Sequence, residues 1–327
     1  MARVADIPGR LSDIHDPELD ELLRGIDRLV AARDWDGLVA LRDAARSAHA
    51  RGKQHWPAAA HAEYRLALEA PGEYAGQMVV EDAGRFAPGP LAEVAASTHT
   101  WSELAAHIPA GPLSTIAAHE RILRGDRTAY GDGDPAVLPV PLVLQEFEPA
   151  YPVATYQPEK GEFPRPPQPG LIEVAMPPPP NEWSTDVDEA RALRGLASTW
   201  LTESNGRARA VGVRGNAMTA VTALDVPQLR AAEISSADAL AIMAWTGASG
   251  GAEGRRRGMA WGRFLAWECA AILAGVDIDE LGDVIDDLRW FVWDAFEPDV
   301  GWALRLAVED PDNEVAWAVE ATDRSID

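Results

Sequence analysis

Apolar residues recur at helical spacing near the start of the chain. Between residues 19 and 30 they lie three, four and seven positions apart, at Leu19, Leu22, Leu23, Ile26, Leu29 and Val30. This spacing predicts an amphipathic helix with one apolar stripe. Asp16 is placed to cap that helix, and Pro17 suits its first turn.

Similar signals continue to about residue 124. Asp34 is placed to cap a second helix, and Pro57, Pro90 and Pro112 each stand where a further helix can begin. The tetrapeptide that starts at Trp35 is partly repeated at Trp101, but such repeats do not recur at a fixed spacing along the chain. The pattern predicts an irregular layer of short helices that resembles a helical repeat without being one of the named repeats.

The pattern changes between Gly131 and Pro180, where 14 of the 25 prolines fall. Proline fixes φ and removes a backbone donor, so this segment is expected to be extended. It also carries apolar side chains that a free linker does not need, at Leu142, Val143, Leu144, Phe147, Tyr151, Tyr156, Phe163 and Ile172. We therefore expect an ordered strap that ends at the final proline run.

Helical and alternating patterns both follow in the last third of the chain. Helices are predicted over Asp186–Glu203, Ser235–Trp245 and Met259–Leu273, and a short strand over Arg207–Arg214.

Strict alternation then predicts a three-stranded meander. Its strands are expected at Arg289–Phe296, Trp302–Glu309 and Glu314–Ala321, with turn residues after the second strand. Trp302, Leu306, Trp317 and Val319 should be largely buried on the face that the 259–273 helix covers.

These patterns predict a mostly helical α+β protein. An irregular, repeat-like helical layer is followed by a C-terminal module with a small antiparallel sheet. The expected divisions are a helical domain at 1–130, a proline-rich extended strap at 131–180 and an α+β domain at 181–327.

Charge and cysteine content bear on location and partners. The net charge is −23, and residues 276–327 hold 16 acidic residues against three arginines, a net of −13. Such a surface repels nucleic acid and anionic lipid and attracts basic partners. One cysteine, no signal-like apolar start and no membrane-spanning run lead us to expect a cytoplasmic protein. The alanine- and arginine-rich composition, with only two lysines, is typical of high-GC bacterial coding.

One loop has a composition suited to anion binding. Arg255, Arg256 and Arg257 stand between glycines just before a predicted helix, and Arg263 lies within that helix. Glycine-rich backbone, arginines and a helix N-terminus together favour an anionic small-molecule ligand. The alternative is that these arginines pair with the chain's own carboxylates.

The same loop contains a G-x-S-x-G pattern around Ser249. A hydrolase elbow needs a strand before the serine and a histidine after it, whereas a helix is predicted here and no histidine follows His119. Ser249 is therefore retained as a ligand-binding candidate alone, and no catalytic residue is assigned.

Other candidates have ordinary structural explanations. The spacing of six between His49, His55 and His61 does not converge on one helix face, so no metal site is predicted. Cys269 lies on an apolar helix, as inert buried cysteines do. A core is favoured over an aromatic cage for six of the tryptophans, namely Trp261, Trp267, Trp290, Trp293, Trp302 and Trp317.

The leading hypothesis is a non-enzymatic interaction or scaffold protein with an acidic surface and a protein partner, in particular a basic one. The second is a domain that binds or acts on a small anionic ligand at the loop of residues 247–263. The third is an acidic inhibitor or immunity-type protein that masks a basic partner's nucleic-acid site. No cofactor is assigned.

Overall fold

The computed structural model describes residues 19–50, 55–297 and 301–324. The chain divides into two compact units. The first extends to Val137 and takes in Ala154–Glu162, while the second takes in Leu138–Val153 and continues from Phe163 onward. The predicted fold class is confirmed, because the protein is α+β and mostly helical and ends in an antiparallel sheet.

The first unit is built mainly from short helices. Their bounds are α1 Leu19–Ala32, α2 Trp35–Ala50, α3 Trp56–Glu69, α4 Gly72–Ala75, α5 Leu91–Thr98, α6 Trp101–Leu104 and α7 Pro112–Leu123. The apolar stripe of α1 is buried at Leu22, Ile26 and Leu29. The start predicted for this helix at Asp16 and Pro17 lies outside the described residues.

The predicted helix starts are confirmed inside the described range. The Gly37 amide donates to Asp34 Oδ1 at 3.0 Å, which caps α2. Pro57 and Pro112 lie in the first turns of α3 and α7, and Pro90 immediately precedes α5. Pyrrolidine rings suit these positions because the first helical amides have no partner within the helix.

Residues 154–162 form a hairpin within the first unit. Strands β1 (Thr155–Gln157) and β2 (Lys160–Glu162) pair antiparallel. The hydroxyl of Tyr156 donates to the buried carboxylate of Glu93 at 2.7 Å. Part of the proline-rich segment is therefore short strand, and its aromatic residue is held in a core.

The second unit contains a seven-stranded antiparallel sheet. Its strands are β3 Ile172–Glu173, β4 Trp183–Ser184, β5 Arg207–Arg214, β6 Arg230–Ile234, β7 Arg289–Asp294, β8 Trp302–Asp310 and β9 Val315–Asp323. The spatial order is β3-β6-β7-β8-β9-β5-β4. The predicted meander is confirmed as β7-β8-β9, with Leu306 opposite Val319 and Val308 opposite Trp317.

The helices of this unit are α8 Asp188–Gly195, α9 Ser198–Glu203, α10 Ala217–Thr222, α11 Ser236–Ala248, α12 Met259–Ala274 and α13 Leu281–Val284. The single helix predicted over Asp186–Glu203 is wrong, since two short helices occupy this range. The Ala197 amide bonds to the carbonyl three residues back, Arg194 O, and this tighter turn separates α8 from α9.

Different helices pack on the two faces of the sheet. Helix α10 packs on the face that carries Ala307 and Ala318. The opposite face is covered by α8 and α11, while α12 packs on α11. Leu306, Trp317 and Val319 are buried there as predicted, but Trp302 is only partly buried. The covering helix was predicted wrongly, because α12 forms a second layer behind α11.

Within the described residues, no single helix is long and apolar enough to cross a membrane. The helical segments Met259–Ala274 and Ile278–Asp287 are long and apolar enough only when they are taken together. The chain bends by 89° between them.

Candidate functional site

The glycine- and arginine-rich loop joins α11 to α12, which cross closely. A Cβ atom at Gly262 would collide with the Ala244 carbonyl, so a side chain at this position would separate the two helices. Beyond α11 the loop folds back on itself, and the Arg257 amide donates to the Ala248 carbonyl at 2.8 Å. The loop is therefore a compact, internally bonded turn.

Ser249 is buried at the end of α11. Its Oγ accepts a hydrogen bond from Trp200 Nε1 at 2.7 Å and donates one to the Thr246 carbonyl at 3.1 Å. The hydroxyl proton is thus committed to a carbonyl oxygen. Ser249 ties the indole of Trp200 to the end of α11.

A buried carboxylate lies beneath the glycines that follow Ser249. Asp323 is 2% exposed, and its Oδ2 accepts from the Ala252 amide at 2.7 Å. Gly251 has a φ of +73°, and a Cβ there would collide with this carboxylate. Glycine is required at 251 for both reasons. Sequence reasoning missed Asp323, because nothing in its local pattern indicates burial of a charge.

The three consecutive arginines have separate neighbours. Arg255 is exposed, and its backbone amide donates to Glu203 Oε2 at 3.1 Å. The guanidinium of Arg256 lies 4.7 Å from the Phe163 ring centroid, and that of Arg257 lies 4.6 Å from the Trp261 ring centroid. These are cation–π distances.

The environment of Arg257 reflects partial burial. Burial lowers the pKa of its guanidinium, while the nearby charge of Glu203 opposes that shift. Arg256 at the loop end and Met259 and Ala260 at the start of α12 each already make a contact within the chain. Arg256 and Arg257 therefore have structural partners in the chain's own aromatic rings.

Arg263 belongs to a different cluster. Its side chain and that of Glu148 are both fully buried, and the pair is bidentate, with Nε to Oε2 and Nη2 to Oε1 both at 2.6 Å. Nη1 also donates to the Pro141 carbonyl at 2.7 Å. Arg263 thus fixes residues 141–148 of the proline-rich segment to α12.

Two aromatic residues complete this cluster. Trp267 Nε1 and the Tyr151 hydroxyl donate to Glu148 Oε2 at 2.9 and 2.8 Å. Burial raises the pKa of Tyr151 well above its usual value, and the charge of Glu148 adds to that rise. The carboxylate therefore accepts hydrogen bonds from three side chains and from the Gln145 amide, which accounts for its stable burial. Sequence reasoning missed Glu148, whose proline-rich surroundings carry no helical or strand period.

Arg165 occupies the tryptophan cluster of the second unit. Trp245 and Trp302 stack with centroids 5.1 Å apart and an interplanar angle of 22°. The Arg165 guanidinium lies 5.0 Å from Trp245 and 5.8 Å from Trp302, and it also donates to the Gly301 carbonyl. The two stacked indole rings therefore bind the guanidinium of Arg165, which belongs to the same chain.

An acidic surface lies between α12 and β7. It consists of six exposed carboxylates within residues 277–287, namely Asp277, Asp279, Glu280, Asp283, Asp286 and Asp287. No lysine or arginine occurs between Arg263 and Arg289. Asp286 accepts a hydrogen bond from Ser236 Oγ at 2.6 Å, and none of the six forms an ion pair within the described part of the chain.

The backbone of the acidic surface is firmly anchored. Leu281, Ile285 and Leu288 are buried at helical spacing. The ring of Phe147 lies against Gly282 and stands 5.1 Å from the Trp267 ring. Six like charges on one short anchored segment repel one another, and cationic groups nearby relieve that repulsion.

The arrangement of histidine, cysteine and acidic side chains bears on metal and thiol chemistry. Among the described residues, no group of three or more histidine, cysteine or acidic side chains is placed to hold a metal ion. Cys269 is buried, and burial raises the pKa of its thiol far above the usual value. The thiolate form is therefore disfavoured.

Comparison with known proteins assigns the chain to a family. The model of a family described as "Family of unknown function (DUF6183)" matches residues 20–325. No curated protein and no solved structure matches the chain. The family match covers nearly the whole chain, including both units. The chain therefore belongs to DUF6183, a family of unknown function.

Proposed function

We propose that this chain is a non-enzymatic interaction protein whose acidic surface binds a basic protein. The observation that carries the proposal is the contrast between this surface and the central strands of the adjoining sheet. Six carboxylates are exposed there without an ion pair among the described residues. On the central strands of the adjoining sheet, by contrast, arginines bind Glu233, Glu309 and Glu320.

The adjoining sheet illustrates that contrast. Arg289 bonds to Glu233 at 3.0 Å and to Glu309 at 3.2 Å. Arg305 bonds to Glu297 at 2.5 Å and to Glu320 at 3.3 Å. Arginines thus neutralise several carboxylates on the central strands, whereas the charge of the acidic surface is exposed to solvent or to a partner.

A basic protein suits this surface for two physical reasons. Lysine and arginine side chains relieve the mutual repulsion of the carboxylates, and complementary charge accelerates encounter. The firm anchoring of the segment also means that little conformational entropy is lost on binding.

The test is affinity capture from a cell extract at low salt with three forms of the protein. The patch variant carries Asp279→Asn, Glu280→Gln, Asp283→Asn and Asp287→Asn. The control variant carries Glu81→Gln, Asp82→Asn, Glu173→Gln and Glu182→Gln, four exposed carboxylates elsewhere in the chain. The two variants have equal net charge.

We expect the wild type and the control variant to retain a basic protein that the patch variant loses. With that protein purified, the patch variant should bind about tenfold or more weakly, as loss of several charge contacts implies. Equal capture by all three forms, or capture of acidic proteins only, would contradict the proposal.

A further inference from the structure

A cavity of about 460 Å³ lies within the first unit. Helices α1 and α3, residues 86–88 and the β1–β2 turn surround it, all in that same unit. Pockets for small molecules commonly have volumes of about 300–1,000 Å³. The cavity is therefore large enough for a small organic ligand.

Much of the cavity wall is flat, rigid and apolar. The Phe86 ring lines it, is 57% exposed and lies 4.0 Å from the Trp56 ring centroid. Pro57, Pro88 and Pro158 contribute three pyrrolidine rings. Aromatic and proline side chains lose little freedom on contact, so such a wall suits the face of a planar ligand.

The polar part of the wall carries excess negative charge. Arg65 is buried, with Nη1 donating to Asp27 Oδ1 at 2.6 Å and Nε donating to Glu69. Its single positive charge is therefore matched by two carboxylates. Glu159 adds a third carboxylate, which is exposed and has no ion pair among the described residues.

The remaining titratable groups in the wall do not offset this charge. Burial lowers the pKa of His61, and the Arg65 charge lowers it further, which favours the neutral imidazole at pH 7. Burial raises the pKa of Tyr64 to about 12, with a further contribution from Glu69. Its hydroxyl donates to the Gln157 carbonyl.

We infer that this cavity binds a small organic cation with a flat apolar body, such as an aryl amidine or aryl amine. The apolar body lies against Phe86 and the prolines, and the cationic group pairs with Glu159 and Asp27. An anion is disfavoured because Arg65 is already paired. This site is separate from the acidic surface proposed above and does not depend on it.

The test uses three isosteric probes, namely benzamidine as cation, benzamide as neutral analogue and benzoate as anion. Binding is measured by titration calorimetry with the full chain at pH 7. We expect saturable binding of benzamidine, binding of benzamide weaker by about tenfold or more, and no measurable binding of benzoate. Absence of saturable benzamidine binding, or equal binding of benzamide, would overturn the inference.

Variants locate the site. Glu159→Gln should weaken benzamidine binding by about fivefold or more and leave benzamide unchanged. The matched control Glu162→Gln, on β2 and paired with Lys160 at 2.6 Å, should alter neither. Phe86→Ala should weaken both probes. The same benzamidine affinity in Glu159→Gln as in Glu162→Gln would contradict the assignment, provided both variants keep the wild-type far-ultraviolet spectrum.

Discussion

Arg263 and Glu148 show how a charged side chain can be structural in this protein. Both side chains are fully buried, and each makes several hydrogen bonds. Burying two ions carries a desolvation penalty, which their bidentate geometry and added donors offset. The stability of the second unit therefore depends on the presence of both partners.

We predict that Glu148→Gln lowers the free energy of unfolding of the second unit by about 3–5 kcal/mol, because Arg263 is left buried without a carboxylate. Urea unfolding followed by tryptophan fluorescence measures this, since nine tryptophans lie from Trp183 onward. Glu146→Gln, in the same segment but exposed, should change stability by less than about 0.5 kcal/mol. A loss under about 1 kcal/mol in Glu148→Gln would show that the pair is not a structural requirement.

The loop arginines permit a similar test at the residue scale. Arg256 lies over Phe163, so Arg256→Ala should lower stability without added anion, by about 0.5–1 kcal/mol. The change that sulfate produces in the melting temperature, at constant ionic strength, should be the same as in the wild type. Arg255→Ala, at an exposed neighbour, is the control. A saturable rise with sulfate that disappears only in Arg256→Ala would instead favour the anion-ligand hypothesis.

At the scale of elements, the β7-β8-β9 meander is the centre of the larger sheet. Trp317 is 6% exposed on β9, whereas Trp183 is 57% exposed on the edge strand β4. We predict that Trp317→Ala destabilises the second unit by about 3–5 kcal/mol, because a large cavity replaces the indole. Trp183→Ala, measured by the same urea unfolding, should stay within about 0.5 kcal/mol. Equal effects of the two substitutions would contradict the sheet arrangement.

The elements differ in how far sequence determines them. Long periodic patterns predicted α1 and the meander well, because their apolar period and their burial coincide. The edge strands β3 and β4 escaped prediction, since two residues carry no period and their pairing depends on distant strands. The hairpin β1-β2 lies inside proline-rich sequence, where tertiary contacts such as that of Tyr156 decide the structure.

The candidate sites were predictable to a lesser degree. The acidic surface follows directly from charge counting, since local composition determines it. The Arg263–Glu148 pair joins residues 115 positions apart, and Arg165 reaches tryptophans far along the chain. Such pairings arise from the packing of the second unit, which no local pattern encodes. The cavity around Glu159 and Phe86 likewise combines segments that are distant in sequence.

At the scale of the whole molecule, the net charge of −23 is the dominant property. Self-repulsion of that size keeps a protein soluble but opposes compaction. The sheet reduces this repulsion through internal arginine pairs, while the acidic surface does not. In the proposed function, cationic groups of the partner neutralise the negative charge of the acidic surface.

The most direct measurement is zero-length carbodiimide cross-linking of the native protein to the basic protein that it captures, followed by tryptic mass spectrometry. The acidic surface falls within one tryptic peptide, Phe264–Arg289, because no lysine or arginine interrupts it. Leu66–Arg85, which also contains exposed carboxylates, is the internal reference. The proposal predicts cross-links from lysines of the partner to Asp277–Asp287 that are abolished by 0.5 M salt. Cross-links confined to Leu66–Arg85 or to other peptides would contradict it.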